Sequence, residues 1–298
     1  MNTIGFDIGG TYVKSGHLSG DGATILDQDR WPTPQTPRAL IDEVLTRAGG
    51  WDPAAAIGIA CAGTIDTGRG VVVRSPNLPG WSDVPLADRF RERTGRSVVV
   101  LNDANAFLVA EATLGAARGA RHAVGLTIGT GVGGGILCDG ELWSGAHGFA
   151  GEFGHSVVQM DGPECACGAR GCLEALVGTY AIMTRYRAHA ASATARDPEE
   201  LAGRARAGDD LARRLFEETG RFLGLGLRSA AHLLDPELFV IGGGLIGAAD
   251  LFLPEAVRVL AESALLPATA VPEVRRAALG NAAGWIGAAL VARRGSSA

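Results

Sequence analysis

Two short stretches of this chain resemble each other. GFDIGGT at 5–11 aligns with GLTIGTG at 125–131, an offset of 120 residues. Each reads as a strand, a glycine turn and a second strand: TIGFDI into YVKSGHLS, and AVGLTIG into VGGGILCDG. Each hairpin closes on an Asp-Gly pair, Asp21-Gly22 and Asp139-Gly140, with a small slip in register. A glycine-turn hairpin that recurs within one chain predicts a duplicated lobe.

The remaining pattern alternates. AAIGIACAG, GVVVRS, SVVVLN and PELFVIGG read as strands. PRALIDEVLTRAGG, DANAFLVAEATLGAA and NAAGWIGAALVARR read as helices, and DDLARRLFEETGRFLGLGLRSAAHLLD as one or two more. The Ala/Arg-rich segment 188–210 is poorly periodic and reads as loop or exposed helix. Alternating strands and helices with an internal repeat predict an α/β protein of two lobes facing each other across a central cleft.

With 298 residues the chain is long enough for two lobes with buried cores. Its 47% hydrophobic and 20% charged residues are those of a soluble globular protein. A net charge of −5 and the absence of a dense basic run speak against a nucleic-acid partner. No apolar stretch has the length of a membrane span. The N-terminus enters its first strand without a basic region or cleavage site, so a cytoplasmic location is expected. In a reducing compartment cysteines serve metals or pack in cores. Cys61 and Cys138 lie in apolar runs and read as buried small hydrophobes.

Four motifs carry chemistry. In DIGGT, the amides of Gly9 and Gly10 with the Thr11 hydroxyl suit phosphate oxygens, and Asp7 suits a magnesium ion held through water; an ordinary hairpin turn is the plainer reading. TIGTGVGGG offers a second cradle at Thr127, Thr130 and the amides of Gly129 to Gly131. Neither is a Walker loop, and GTGVGG leads into a strand rather than a helix, which argues against a nicotinamide cofactor. In VVVLNDANAF, Asp103 stands at the head of a helix, either as its cap or as a general base toward a substrate hydroxyl that Asn102 orients. Finally, ECACGARGCLE crowds three of the five cysteines into eight positions. Cys165, Cys167 and Cys172 with His155, the nearest upstream histidine, form a Cys3His set of the structural zinc type. Such a closed set pins a loop rather than activating water, and it would hold the flanking Glu152 and Glu174 rigid as acceptors for sugar hydroxyls.

GFDIGGT, LNDANA, TIGTGVGGG, GEFGH and CACGARGCLE occur here in the order found in the ROK family of sugar kinases, and the resemblance spans essentially the whole chain. The family's actin-like, ribonuclease H-like duplicated fold agrees with the repeat. The resemblance implies an N-terminal lobe over 1–117, joined by the C-terminal helix 281–294, and a second lobe over 118–280. It implies ATP-dependent phosphorylation of a hexose C6 hydroxyl with Asp103 as base. Gly63, Asn102, Asp103, Glu152, His155 and Glu174 would contact the sugar. Asp7, Gly9, Gly10, Thr11, Thr130, Gly131, Gly243 and Gly244 would contact the nucleotide. His155, Cys165, Cys167 and Cys172 would bind zinc, magnesium would accompany ATP, and the protein would be a homodimer. One departure stands out: many members carry Lys directly after GGT, where this chain has Tyr12, and Lys14 two positions on would compensate. The stretch RSPNLPGW at 74–81 resembles the glucokinases, with kinases for N-acetylmannosamine, N-acetylglucosamine or fructose as alternatives. The family's DNA-binding repressors place a helix-turn-helix ahead of the first motif, and here that motif begins within ten residues of Met1.

Overall fold

A computed structural model describes residues 2–48, 55–75, 78, 80–189, 194–263 and 265–295. The chain forms two compact units: 1–119 with 140–151 and 278–298, and 120–139 with 152–277. The division expected at 117/118 places 140–151 in the second lobe, whereas its contacts group it with the first. Among the described residues no helix is long and apolar enough to cross a membrane.

The first unit is built on a five-stranded sheet. Its strands are β1 (Thr3–Ile8), β2 (Tyr12–Leu18), β3 (Ile25–Pro32), β4 (Ala56–Cys61) and β8 (Val98–Asn102), in the order β3-β2-β1-β4-β8. The first three form an antiparallel meander, and β4 and β8 add in parallel to β1. A small antiparallel sheet of β5 (Thr64–Asp66), β6 (Val71–Arg74) and β7 (Ser82–Val84) follows β4. Residues 76, 77 and 79 of RSPNLPGW lie outside the described residues.

The period-two alternation of a strand decides what covers each face. Ile4, Phe6, Ile8, Ile57, Ile59 and Cys61 point to one side and pack with Leu40 and Val44 of α1 (Pro37–Ala48) and Phe90 of α2 (Leu86–Thr94). On the other side the alternate positions include Gly5 and Gly58, where a Cβ would lie 1.9 Å from the carbonyl oxygens of Trp285 and Ala288. Glycine is therefore what lets α9 (Ala283–Gly295) lie flat against the sheet, beside α3 (Asp103–Leu114).

The second unit repeats the start of the first. Strands β9 (Ala123–Ile128) and β10 (Val132–Cys138) have the limits of β1 and β2 displaced by 120 residues. The closing pairs differ: Ile8 faces Val13, but Ile128 faces Val132, so the second turn is one residue tighter. The two-residue strand β11 (Glu141–Leu142) lies in the segment assigned to the first unit. β12 (Leu238–Gly242) runs parallel to β9, as β4 does to β1, and β13 (Glu273–Arg276) runs parallel to β12. Helices α4 (Leu173–Val177), α5 (Thr179–His189), α6 (Pro198–Arg206), α7 (Asp210–Leu234) and α8 (Ala249–Ala261) complete this core.

The segment DDLAR to HLLD is one helix, α7, and VIGGGLIG passes from β12 through a 3-10 turn at Gly244–Ala248 into α8. Two expectations need correction. Within 188–210, α6 is neither a loop nor an exposed helix. Asp197 caps it by accepting from Glu200 N (2.8 Å), and Leu201, Ala202 and Ala205 are buried; residues 190–193 lie outside the described residues. Cys138 is exposed rather than buried, because it is the last residue of β10 before the Asp139-Gly140 turn.

Candidate active site and metal centre

In the first unit the expected residues gather at the carboxyl ends of three neighbouring parallel strands. Ile8 pairs with Cys61, and Cys61 with Asn102. Ligands of open α/β sheets bind at such strand ends. Asp7, one residue before the end of β1, faces Lys14 across the hairpin and accepts a hydrogen bond from its Nζ (3.2 Å). Burial pushes the Asp7 carboxyl above its ordinary value, and Lys14 pulls it back. Burial also raises the Cys61 thiol well above its usual range, and the negative charges of Asp103 and Asp7 raise it further. These three side chains thus share one neighbourhood.

The turn Gly9-Gly10-Thr11 is closed by Gly9 N donating to Tyr12 O (3.1 Å). A residue that sequence reasoning missed fixes it. The Thr33 hydroxyl donates to Gly9 O (2.6 Å), and Thr33 N donates to Thr11 O (2.9 Å). Thr33 is buried, and its partners are distant in sequence, so nothing in the local pattern marks it. Thr33→Val keeps the shape and the backbone donor but strands the Gly9 carbonyl. It is expected to cost about 1–3 kcal/mol of stability, read from the denaturant midpoint, with Thr33→Ser close to wild type.

At the head of α3 the cap is one residue earlier than expected. Asn102, extended at φ −65°, ψ 146°, accepts from Ala104 N (2.9 Å) and Asn105 N (3.2 Å) and donates through Nδ2 to Gly63 O (3.0 Å). Asp103 is the first helical residue, its Oδ1 accepting from Ala104 N (3.0 Å). Capping therefore belongs to Asn102, which also tethers Gly63. Tyr12, directly after GGT, has its ring under the Arg30 guanidinium, 3.7 Å from the centroid.

In the second unit the metal-type set comes together. The ligand atoms of His155, Cys165, Cys167 and Cys172 all lie within 4.8 Å of one another. Cys167 Sγ is 3.7 Å from Cys172 Sγ, and Cys165 Sγ is 3.6 Å from His155 Nδ1. Zinc–ligand bonds of about 2.0–2.3 Å in a tetrahedron put neighbouring ligand atoms at about 3.5–3.8 Å, so the donor set fits a zinc ion. The other ring nitrogen of the histidine, Nε2, lies 3.8 Å from Glu152 Oε2.

Glu174, in the first turn of α4, links this cluster to the second glycine turn. Its Oε1 is 3.8 Å from Cys165 Sγ, and its Oε2 accepts from Val132 N (3.0 Å). A Cβ on Gly131 would lie 2.3 Å from that Oε2, so only glycine admits the carboxylate here. Burial lifts the Glu152 carboxyl above its ordinary value; His155 lowers it and the charge of Glu174 raises it. Glu152 and Glu174 therefore sense each other. Thr130 and Gly131 form the turn itself, tied down by Gly129 N donating to Gly131 O (2.9 Å) and Thr179 N to Gly129 O (2.9 Å). Gly244 N is 4.0 Å from where a Gly129 Cβ would stand, so the Gly243-Gly244 loop borders this turn.

The expected residues thus form two groups: Asp7, Gly9, Gly10, Thr11, Lys14, Gly63, Asn102 and Asp103 in the first unit, and the rest in the second. The ROK family model matches residues 3–295. The chain belongs to the ROK family. It is 34% identical over 307 residues to a glucokinase of Thermotoga maritima, covering 98% of this chain and 97% of that protein. It is 33% identical to an N-acetylmannosamine kinase of Escherichia coli O1:K1, covering 98% and 99%. Among solved structures, a ROK family glucokinase from Streptomyces griseus in complex with glucose and AMPPNP is similar at a TM-score of 0.85 and 34% identity, covering 99% of this chain and 100% of that one. The fold is accordingly the α/β, actin-like two-lobe fold of the ROK kinases.

Proposed function

We propose that this ROK protein transfers a phosphoryl group from ATP to the C6 hydroxyl of a hexose, glucose in the first instance. The observation that carries this reading is near-full-length similarity to glucokinases, including one that holds glucose and an ATP analogue. In the first unit, Asp103 is the general base for the sugar hydroxyl, and Asn102 and Gly63 contact the same sugar. Phosphoryl transfer asks for positioning, charge neutralisation and one such base. The amides of Gly9 and Gly10, with Thr11 and Lys14, hold nucleotide phosphates, and Asp7 would hold the accompanying magnesium ion. In the second unit, Glu152, His155 and Glu174 are the sugar's hydrogen-bond partners, and Thr130, Gly131, Gly243 and Gly244 the nucleotide's. Zinc would be held by His155 Nδ1, Cys165, Cys167 and Cys172 as a structural ion.

A magnesium-dependent ATPase-coupled assay over glucose, fructose, N-acetylmannosamine and N-acetylglucosamine tests the reading. The expected result is the highest kcat/KM for glucose. A preference for N-acetylmannosamine would move the assignment to the second kind of relative, and no sugar-dependent ATP consumption would overturn it.

A further inference from the structure

A cavity of about 480 Å³ opens in the first unit, bordered by Lys14, Gln28, Arg30, Leu279, Asn281 and Trp285. That volume lies within the range of small-molecule sites, roughly 300–1,000 Å³. Strand alternation settles which side chains belong to it. Lys14 pairs with Arg30, and Gly16 with Gln28. The Trp285 ring lies against Gly16, so all four positions face α9. Ser15 and Asp29, which also border the cavity, pair with each other and alternate to the opposite face. There the Asp29 carboxylate accepts from Arg47 of α1, whose guanidinium stacks over Trp31. Lys14 is committed to Asp7 and, in the hexose-kinase reading, to the nucleotide, so the cavity itself offers one cation, Arg30, with two carboxamides and an indole wall.

The α9 end of the cavity is polar but not cationic. The chain enters α9 through Gly280–Ala282, and the first turn of the helix carries no acidic residue. The Asp7 carboxylate already meets that end of the helix, since a Cβ on Gly284 in the first turn would lie 2.7 Å from its Oδ2, so this side contributes the Asn281 carboxamide rather than an unmet dipole. A cationic pocket with a planar guanidinium and two amide groups matches phosphate oxygens, which Arg binds through its fork of N–H donors.

We propose that this cavity is a second anion site, for a small phosphate-bearing molecule, with Arg30 and Asn281 as its specific contacts. The site goes beyond the hexose-kinase reading and does not depend on it. Two sources supply such chemistry: a condensed phosphate chain and a free phosphorylated sugar.

The test is calorimetric binding of inorganic tripolyphosphate to the full chain saturated with AMPPNP, with magnesium in excess. The expected result is that tripolyphosphate still binds, and that Arg30→Gln and, from the opposite wall, Asn281→Ala each weaken it at least fivefold. ATP-dependent sugar phosphorylation stays unchanged in both variants, which shows that they fold. Displacement of tripolyphosphate by a hexose 6-phosphate identifies the phosphorylated sugar as the source, and its persistence identifies the condensed chain. The proposal is overturned if AMPPNP abolishes binding, or if both variants bind as the wild type does. Loss of the kinase reading shows separately, as wild-type protein without sugar-dependent ATP turnover.

Discussion

Asp103→Asn is expected to leave glucose affinity within about twofold of wild type while kcat falls about 10³-fold, in the middle of the range that a positioned general base supplies. Asn has the size of Asp and keeps an oxygen for Ala104 N, which Asp103 Oδ1 now accepts. The helix does not depend on the change, because the capping bonds to Ala104 and Asn105 come from Asn102. What is removed is the ability to take a proton. The split between binding and turnover separates a base from a structural carboxylate, since a purely structural role would move stability and affinity as well. Titration calorimetry gives the affinity and a coupled assay gives kcat. A variant that turns over within tenfold of wild type would take Asp103 out of the reaction.

Removal of the metal should have the second largest effect. Elemental analysis is expected to find one zinc per chain. Chelation is expected to lower the melting temperature by about 10 °C, the shift that a few kcal/mol of metal-linked folding energy produces in a domain this size. Glucose affinity should fall at least tenfold, because Glu152 and Glu174 lie against His155 and Cys165. The pH dependence has a definite sign. Without metal, burial holds the Cys165 thiol up and pushes Cys172 up to about 12, while the Ala169 backbone amide holds Cys167 below its ordinary value. Zinc binds thiolates, so loading must release protons: affinity rises with pH, and acid frees the ion. A weakly buffered titration that acidifies as zinc is added would verify this; chelated protein with unchanged melting and unchanged glucose affinity would refute the structural role.

Legibility in the sequence followed the range of the interactions. The two hairpins could be read because alternation and glycine turns are local signals, and the repeat even gives the strand limits of the second unit. The zinc-type set could be read because three rare residues sit within eight positions. The cap of α3 was misplaced by one residue, since Asn and Asp both cap well and the extended conformation of Asn102 is what decides. Thr33 escaped because its partners, Gly9 and Thr11, lie more than twenty residues away. Ala and Arg give a weak hydrophobic period, so 188–210 reads as loop or exposed helix; α6 is a helix, and what escaped is that three of its residues are buried.

The close seating of α9 on Gly5 and Gly58 has a consequence for biosynthesis. The strands β1 and β4, which carry Gly5 and Gly58, leave the ribosome more than two hundred residues before α9 does, and all of 152–277 is made in between. The later-made unit therefore has its whole sequence available first and matures as an insert. The earlier one waits, with one face of its sheet still wet, until its final helix arrives to seal it.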